Sequence, residues 1–147
     1  MVLATGVDLK ELVLGSNPFG PREVSQLSQT IAEDYSQFNT LRDAVAEFES
    51  RGETSPAAAV RLGVCYYLLG RYRSAHETLQ SADGGALAQF YLGKTRFALG
   101  DSVEAIKSFN AAKVAGYNGD DCALAIAEVQ RQSRQPQKAI ETLDKLS

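Results

Sequence analysis

Apolar residues along this chain recur at spacings of three and four and rarely alternate one by one with polar residues. Ile31, Tyr35 and Phe38 form one such row. Leu62, Tyr66 and Leu69 form a second, and Leu92, Arg96 and Leu99 repeat it with one substitution. This period places apolar side chains on one face of an α-helix and leaves no strand pattern. The prolines, at 18, 21, 56 and 136, interrupt no long periodic segment. An all-α fold is predicted.

The pattern also returns at longer range. Ala44, Ala75, Ala105 and Ala139 are separated by 31, 30 and 34 residues. Twelve residues before each stands another small residue: Ala32, Gly63, Gly93 and Ala127. Ile31, Leu62, Leu92 and Ile126 precede those, and Phe48, Leu79, Phe109 and Leu143 follow each alanine by four. Matching columns in successive copies predict a helical repeat.

Each copy reads as two antiparallel helices. Helices approach closely where side chains are small, and the Gly/Ala columns supply that contact while the large residues fill the space beside it. The first helices are predicted to stop near Asn39, Gly70, Gly100 and Arg134, since Gly and Asn accept the left-handed conformation that ends a helix. Thr40 with Asp43, and Asp101 with Glu104, read as capping boxes for the second helices. Pro136 suits the first turn of the last helix. Ser81-Ala82-Asp83-Gly84-Gly85 cuts the helix of residues 72–80 short. Its counterpart, about 102–114, runs a turn longer, so the apolar face keeps its phase.

Composition narrows the class. The chain has 147 residues, 44% apolar and 22% charged, which suits a soluble globular domain. A formal charge of −3 gives no basic field for nucleic acid or an anionic membrane. The N-terminus has neither a basic start nor an unbroken apolar run, so it reads as neither signal peptide nor anchor. Cys65 and Cys122 stand far apart and form no CxxC pattern, which points to a reducing, cytoplasmic setting.

The columns resemble the tetratricopeptide repeat, a helix–turn–helix unit of 34 residues. Leu62, Gly63, Tyr66, Ala75, Leu79 and Ala82 meet its pattern best. Leu92, Gly93, Ala105, Phe109 and Ala112 follow, with Arg96 at the aromatic position. The outer copies are degenerate: Ala127 and Gln130 replace Gly and the aromatic in the last, and Arg51 replaces a small residue in the first. The resemblance covers residues 22–147. It implies a right-handed superhelical solenoid of about eight helices in antiparallel pairs, with a short N-terminal helix besides. It also implies protein–protein binding in a concave groove lined by the first helix of each pair. In the best-known members a carboxylate clamp grips an acidic chaperone tail. The corresponding positions here are Gln29, Glu33, Val60, Val64, Phe90, Lys94, Leu124 and Glu128. Only Lys94 suits a carboxylate, and one exposed cation contributes too little for tail binding.

The expected partner-binding groove comprises Val60, Val64, Tyr67, Phe90, Lys94, Phe97, Leu124, Glu128 and Arg131. Its apolar middle fits a peptide or helix of a partner protein. The same residue types also serve as packing within a solenoid. Residues 1–21 form an N-terminal extension. Asp8-Leu-Lys-Glu11 resembles a capping box, Gly15 ends a helix of about 9–14, and SNPFGP is a Pro/Gly linker. A helix this short does not persist alone in water, so its leucines are expected to dock on the repeat domain of their own chain or a neighbour. Residues 22–147 form the repeat domain. Leu143 and Leu146 lie at an uncapped end, which suggests a fragment of a longer repeat protein or a homodimer through the C-terminal helix or the N-terminal extension.

Catalytic chemistry is missing from the pattern. His76, the only histidine, falls in the packing column of Val45, Ile106 and Ile140. No serine or cysteine has an evident base partner. Asp120-Asp121 starts a helix, where acidic charge suits the dipole. The Gly-rich stretches at 84–85 and 116–119 lack the lysine of a phosphate loop. One histidine and two scattered cysteines make no metal site. The expectation is a non-enzymatic, cofactor-free interaction scaffold or assembly factor. The alternatives are a small dedicated chaperone, like the bacterial secretion chaperones that pair an N-terminal helix with about three such repeats, and a self-associating fragment.

Overall fold

The lone glycine of each central hairpin marks the point where two helices come closest. In the computed structural model, which describes residues 8–82 and 84–146, a Cβ on Gly63 would lie 2.6 Å from the Leu79 side chain. One on Gly93 would lie 2.7 Å from the Phe109 ring. Only a hydrogen at these positions allows the backbones so near.

Nine helices and no strands occur among the described residues: α1 (Leu9–Leu14), α2 (Pro21–Glu33), α3 (Gln37–Ser50), α4 (Pro56–Leu68), α5 (Tyr72–Gln80), α6 (Ala86–Ala98), α7 (Ser102–Val114), α8 (Gly119–Gln132) and α9 (Pro136–Leu143). Helices α4 with α5, α6 with α7, and α8 with α9 form three tight pairs. Helix α5 then packs on α6, and α7 on α8. The pairs therefore stack into a solenoid, and no helix is long and apolar enough to cross a membrane among the described residues.

One closure recurs. After α4, α6, α7 and α8 the chain passes through a left-handed residue: Gly70, Gly100, Gly116 and Arg134, at φ 79°, 87°, 107° and 60°. The next amide then reaches back to the last turn: Arg71 to the Tyr66 carbonyl, Asp101 to Arg96, Tyr117 to Ala112 and Gln135 to Gln130, at 2.8–2.9 Å. This is the Schellman arrangement, and it sets the reversal of direction. The predicted stops at Gly70, Gly100 and Arg134 are realised in it.

The first copy departs from the prediction. Asn39, Thr40 and Asp43 lie inside α3, so they form neither a stop nor a capping box. Helix α2 ends earlier, at Glu33. The Asp34 carboxylate there accepts bonds from the Ser36 amide (3.1 Å) and hydroxyl (2.6 Å). A short acidic side chain competing for the backbone ends the helix without Gly or Asn. Ile31, Tyr35 and Phe38 thus do not share one helix. Tyr35 and Phe38 stack across the turn with centroids 6.1 Å apart.

Helix α2 makes little contact with α3, and α1 packs against α3 instead. Leu9 and Val13 are buried in the same cluster as Leu27, Leu41, Ala44 and Val45. The Asp8 carboxylate caps α1 through the Glu11 amide at 3.4 Å. At its other end Arg61 donates to the carbonyls of Val13 (3.1 Å), Gly15 and Asn17 (2.7 Å). Arg51 donates to Leu14 at 3.0 Å. The two guanidiniums satisfy carbonyls that a helix end leaves open. The expected residues 1–7 and 147 lie outside the described residues, as does Asp83 in the break after α5.

Candidate functional site

The first helices of three successive pairs, α4, α6 and α8, share one cleft. It encloses about 510 Å³ and is lined by Tyr67 of α4, by Phe90, Tyr91, Lys94 and Phe97 of α6, and by Asp121, Leu124, Ala125 and Glu128 of α8. Phe109 of α7 and Tyr117 of the α7–α8 turn complete it. The spacing explains the membership. Phe90, Lys94 and Phe97 stand at i, i+4 and i+7 on one face of α6, and Asp121, Leu124 and Glu128 at i, i+3 and i+7 on α8.

The floor is a chain of rings. Phe90 stacks on Tyr117 at 4.1 Å with 9° between planes, and meets Phe109 at 5.3 Å and Tyr91 at 5.5 Å. Tyr91 meets Tyr67 edge-on at 5.5 Å, and Tyr67 meets Tyr72 at 5.6 Å. Such offset and edge contacts hold aromatic side chains in fixed orientations. The Lys94 ammonium lies over the Phe90 ring, 5.5 Å from its centroid, a cation–π contact.

Burial governs the ionisable groups. It pushes the Tyr91 phenol up, with Tyr117, Tyr67 and Asp121 adding to the shift. It raises Tyr117 to about 12, with help from Asp121 and Cys122, and raises Tyr67 with help from Tyr72. It pushes the Lys94 ammonium down, and Asp121 pulls it partly back. All three phenols are therefore protonated at neutral pH. At the rim Glu128 accepts from Arg131 at 2.7 and 3.1 Å and from Gln132 at 3.1 Å. Those bonds lower its pKa.

The predicted groove residues divide. Tyr67, Phe90, Lys94, Phe97, Leu124 and Glu128 come together in the cleft. Val64 is fully enclosed and Val60 is 7% exposed, so neither presents a surface to a partner. Both sit one turn deeper in α4, where the neighbouring helices close over them. Arg131 stands outside the cleft and orients Glu128. Sequence reasoning missed Tyr91, Tyr117 and Asp121. Tyr91 adjoins Phe90, and adjacent residues on a helix point about 100° apart, so a one-row reading admits only one of them. Tyr117 follows Gly116 in a turn read only as a break.

His76 lines a second hollow with Arg73, Glu77, Arg96, Leu99 and Asp101. Asp120 and Asp121 do begin a helix, whose cap is the Asn118 side chain accepting from the Asp121 amide at 3.0 Å. No group of three or more His, Cys, Asp or Glu side chains is placed to hold a metal ion among the described residues.

Comparison with known proteins agrees with this geometry. A tetratricopeptide repeat family model matches residues 87–113, which run from α6 through α7. The chain is similar in fold to solved structures of MamA. One aligns with a TM-score of 0.65 at 18% identity, over 92% of this chain and 81% of that one. Another aligns at 0.66 and 18%, over 84% and 69%. A third, described as MamA MSR-1 C2, aligns at 0.58 and 22%, over 92% and 80%. No curated protein sequence matches the chain. The fold is an all-α, tetratricopeptide-like solenoid of helix pairs.

Proposed function

We propose that the chain is a protein-interaction scaffold that holds a segment of a partner protein in the aromatic cleft. The observation that carries this reading is the cleft itself, in which three successive hairpins present ordered rings and a partly exposed apolar wall. Leu124 is 51% exposed there, without an apolar neighbour to cover it. Rigid aromatics give large contact area at low entropy cost. The reading includes no catalytic role. Its cytoplasmic setting rests on Cys65 and Cys122 being buried free thiols.

Affinity capture with the full chain tests it, repeated with Phe97→Ala and Leu124→Glu. A protein retained by the parent chain and lost with both variants is expected, provided both variants keep the parent melting temperature. Equal retention by all three removes the cleft from the interaction.

A second reading, self-association through α9, is favoured by one observation. Ile140 and Leu143 are 51% and 39% exposed, yet they occupy the columns of Ile106 and Phe109, which α8 covers in the preceding pair. Sedimentation of the full chain against Ile140→Lys checks it. A dimer abolished by the substitution is expected, and a monomer at high concentration removes the idea.

A further inference from the structure

The polar groups of the cleft are unequal in kind. The hydroxyls of Tyr67, Tyr91 and Tyr117 have no hydrogen-bond partner among the described residues. No buried polar side-chain atom lacks a partner there either, so these hydroxyls reach solvent through the cleft. The Lys94 ammonium is likewise without a carboxylate within ion-pair distance among the described residues. All four are donors, and burial keeps the phenols protonated. On the acceptor side, Glu128 is already engaged by Arg131 and Gln132. Asp121 alone has a carboxylate without a printed side-chain bond to another group.

A ligand for this cleft must therefore bring acceptors and few donors, on a body that lies flat against rings. A helix fails the first condition because its carbonyls are spent within the helix. A strand-like segment brings as many N–H groups as carbonyls, and the cleft has little to receive them. A polyproline II segment satisfies both conditions. Its backbone carbonyls are free, proline has no N–H, and its rings pack on aromatic faces at low entropy cost. We propose that the segment taken by the cleft is proline-rich and extended, its carbonyls accepting from Tyr67, Tyr91, Tyr117 and Lys94 while its rings lie against Phe97 and Leu124. This inference rests on the cleft being the partner site proposed above.

The test titrates the full chain with three capped peptides of equal length, followed by NMR of the aromatic side chains. One is hexaproline, one replaces each proline by alanine, and one is an amphipathic helix of Leu, Lys and Glu. Hexaproline is expected to shift the Tyr67, Tyr91 and Tyr117 signals and to bind tighter than the other two. Tyr67→Phe and Tyr117→Phe keep the rings and are expected to weaken it about 3–10-fold each, the range one hydrogen bond contributes. Lys94→Met reports the ammonium in the same way. Binding of the alanine or helical peptide in preference, or hexaproline binding unchanged in the Tyr→Phe variants, overturns the proline assignment and leaves the cleft as a partner site. Absence of all three from the cleft, together with partner capture that ignores Phe97→Ala, overturns both.

Discussion

Gly93 lies beneath the Phe109 ring, and a Cβ on it would stand 2.7 Å from the ring carbon Cε1. Phe109 is 1% exposed and meets Phe90, so it cannot swing aside. Gly93→Ala gains about 1 kcal/mol of helix propensity and loses about 1–3 kcal/mol to overpacking. A net loss of about 1–2 kcal/mol is expected, read as a lower denaturant midpoint. Because Phe109 also lines the cleft, the same substitution is expected to disturb the Tyr117 ring signals.

Arg134 is the one turn residue of its kind that is not glycine, at φ 60°. A side chain in this conformation costs about 1–2 kcal/mol, while glycine adds about 0.4–1 kcal/mol of unfolded-chain freedom. Arg134→Gly is therefore expected to stabilise the chain by about 0.5–1 kcal/mol, with the melting temperature rising by a few degrees. A fall in melting temperature shows that the side chain has a packing role that outweighs its backbone cost.

Arg61 holds three carbonyls across the end of α1 and lies 5.2 Å from the Phe19 ring centroid. Lysine offers no planar fork and cannot bridge them. Both Arg61→Ala and Arg61→Lys are expected to speed amide exchange in residues 12–15, whereas α6 and α7 keep their protection. Uniform acceleration along the chain instead makes Arg61 part of the global fold and not a local clasp.

The central hairpins were legible in the sequence because small residues, turn glycines and apolar rows agree there. Two bonds show how far the period extends. Arg96 donates to Ser108 at 2.6 Å, and Thr142 donates to Gln130 at 2.7 Å. Each pair is separated by 12 residues, and each stands 34 residues from the other. The missing aromatics at 96 and 130 are thus replaced by polar links between the same two positions of a hairpin. The first copy was illegible for a tertiary reason: α3 finds its partner in α1, which lies before the periodic region. The cleft was half legible. A row along one helix predicts Phe90, Lys94 and Phe97, but a turn residue such as Tyr117 enters by chain reversal, which no periodicity encodes.

Cys65 is fully buried, and burial raises its thiol to about 12, with Arg61 opposing weakly. The thiolate is the reacting species. Neither Cys65 nor the equally enclosed Cys122 is expected to react with iodoacetamide in the native chain at pH 8. Labelling should rise along the unfolding transition in urea. Rapid stoichiometric labelling without denaturant contradicts the packing around α4 and α8.

Alkaline pH tests the ring cluster as a whole. Tyr66 and Tyr117 are raised to about 12, chiefly by burial, and Tyr67 and Tyr91 are raised as well. Below pH 10 these phenols are neutral in both folded and unfolded chains. Above it the unfolded chain releases protons that the folded chain retains, so unfolding gains on folding. Lys94 opposes this, because its lowered pKa lets the folded chain shed a proton first. Four groups against one make the direction a loss. Stability is therefore expected to be level from pH 7 to about 9.5 and to fall steadily between about 10 and 12. Tyr66→Phe tests the sign separately, since its hydroxyl donates to Glu49 of α3. The substitution removes one ionisation and one bond. Stability is expected to drop at pH 7 and to fall less steeply above pH 10 than in the parent chain, and parallel pH curves would show that Tyr66 does not contribute to the alkaline loss.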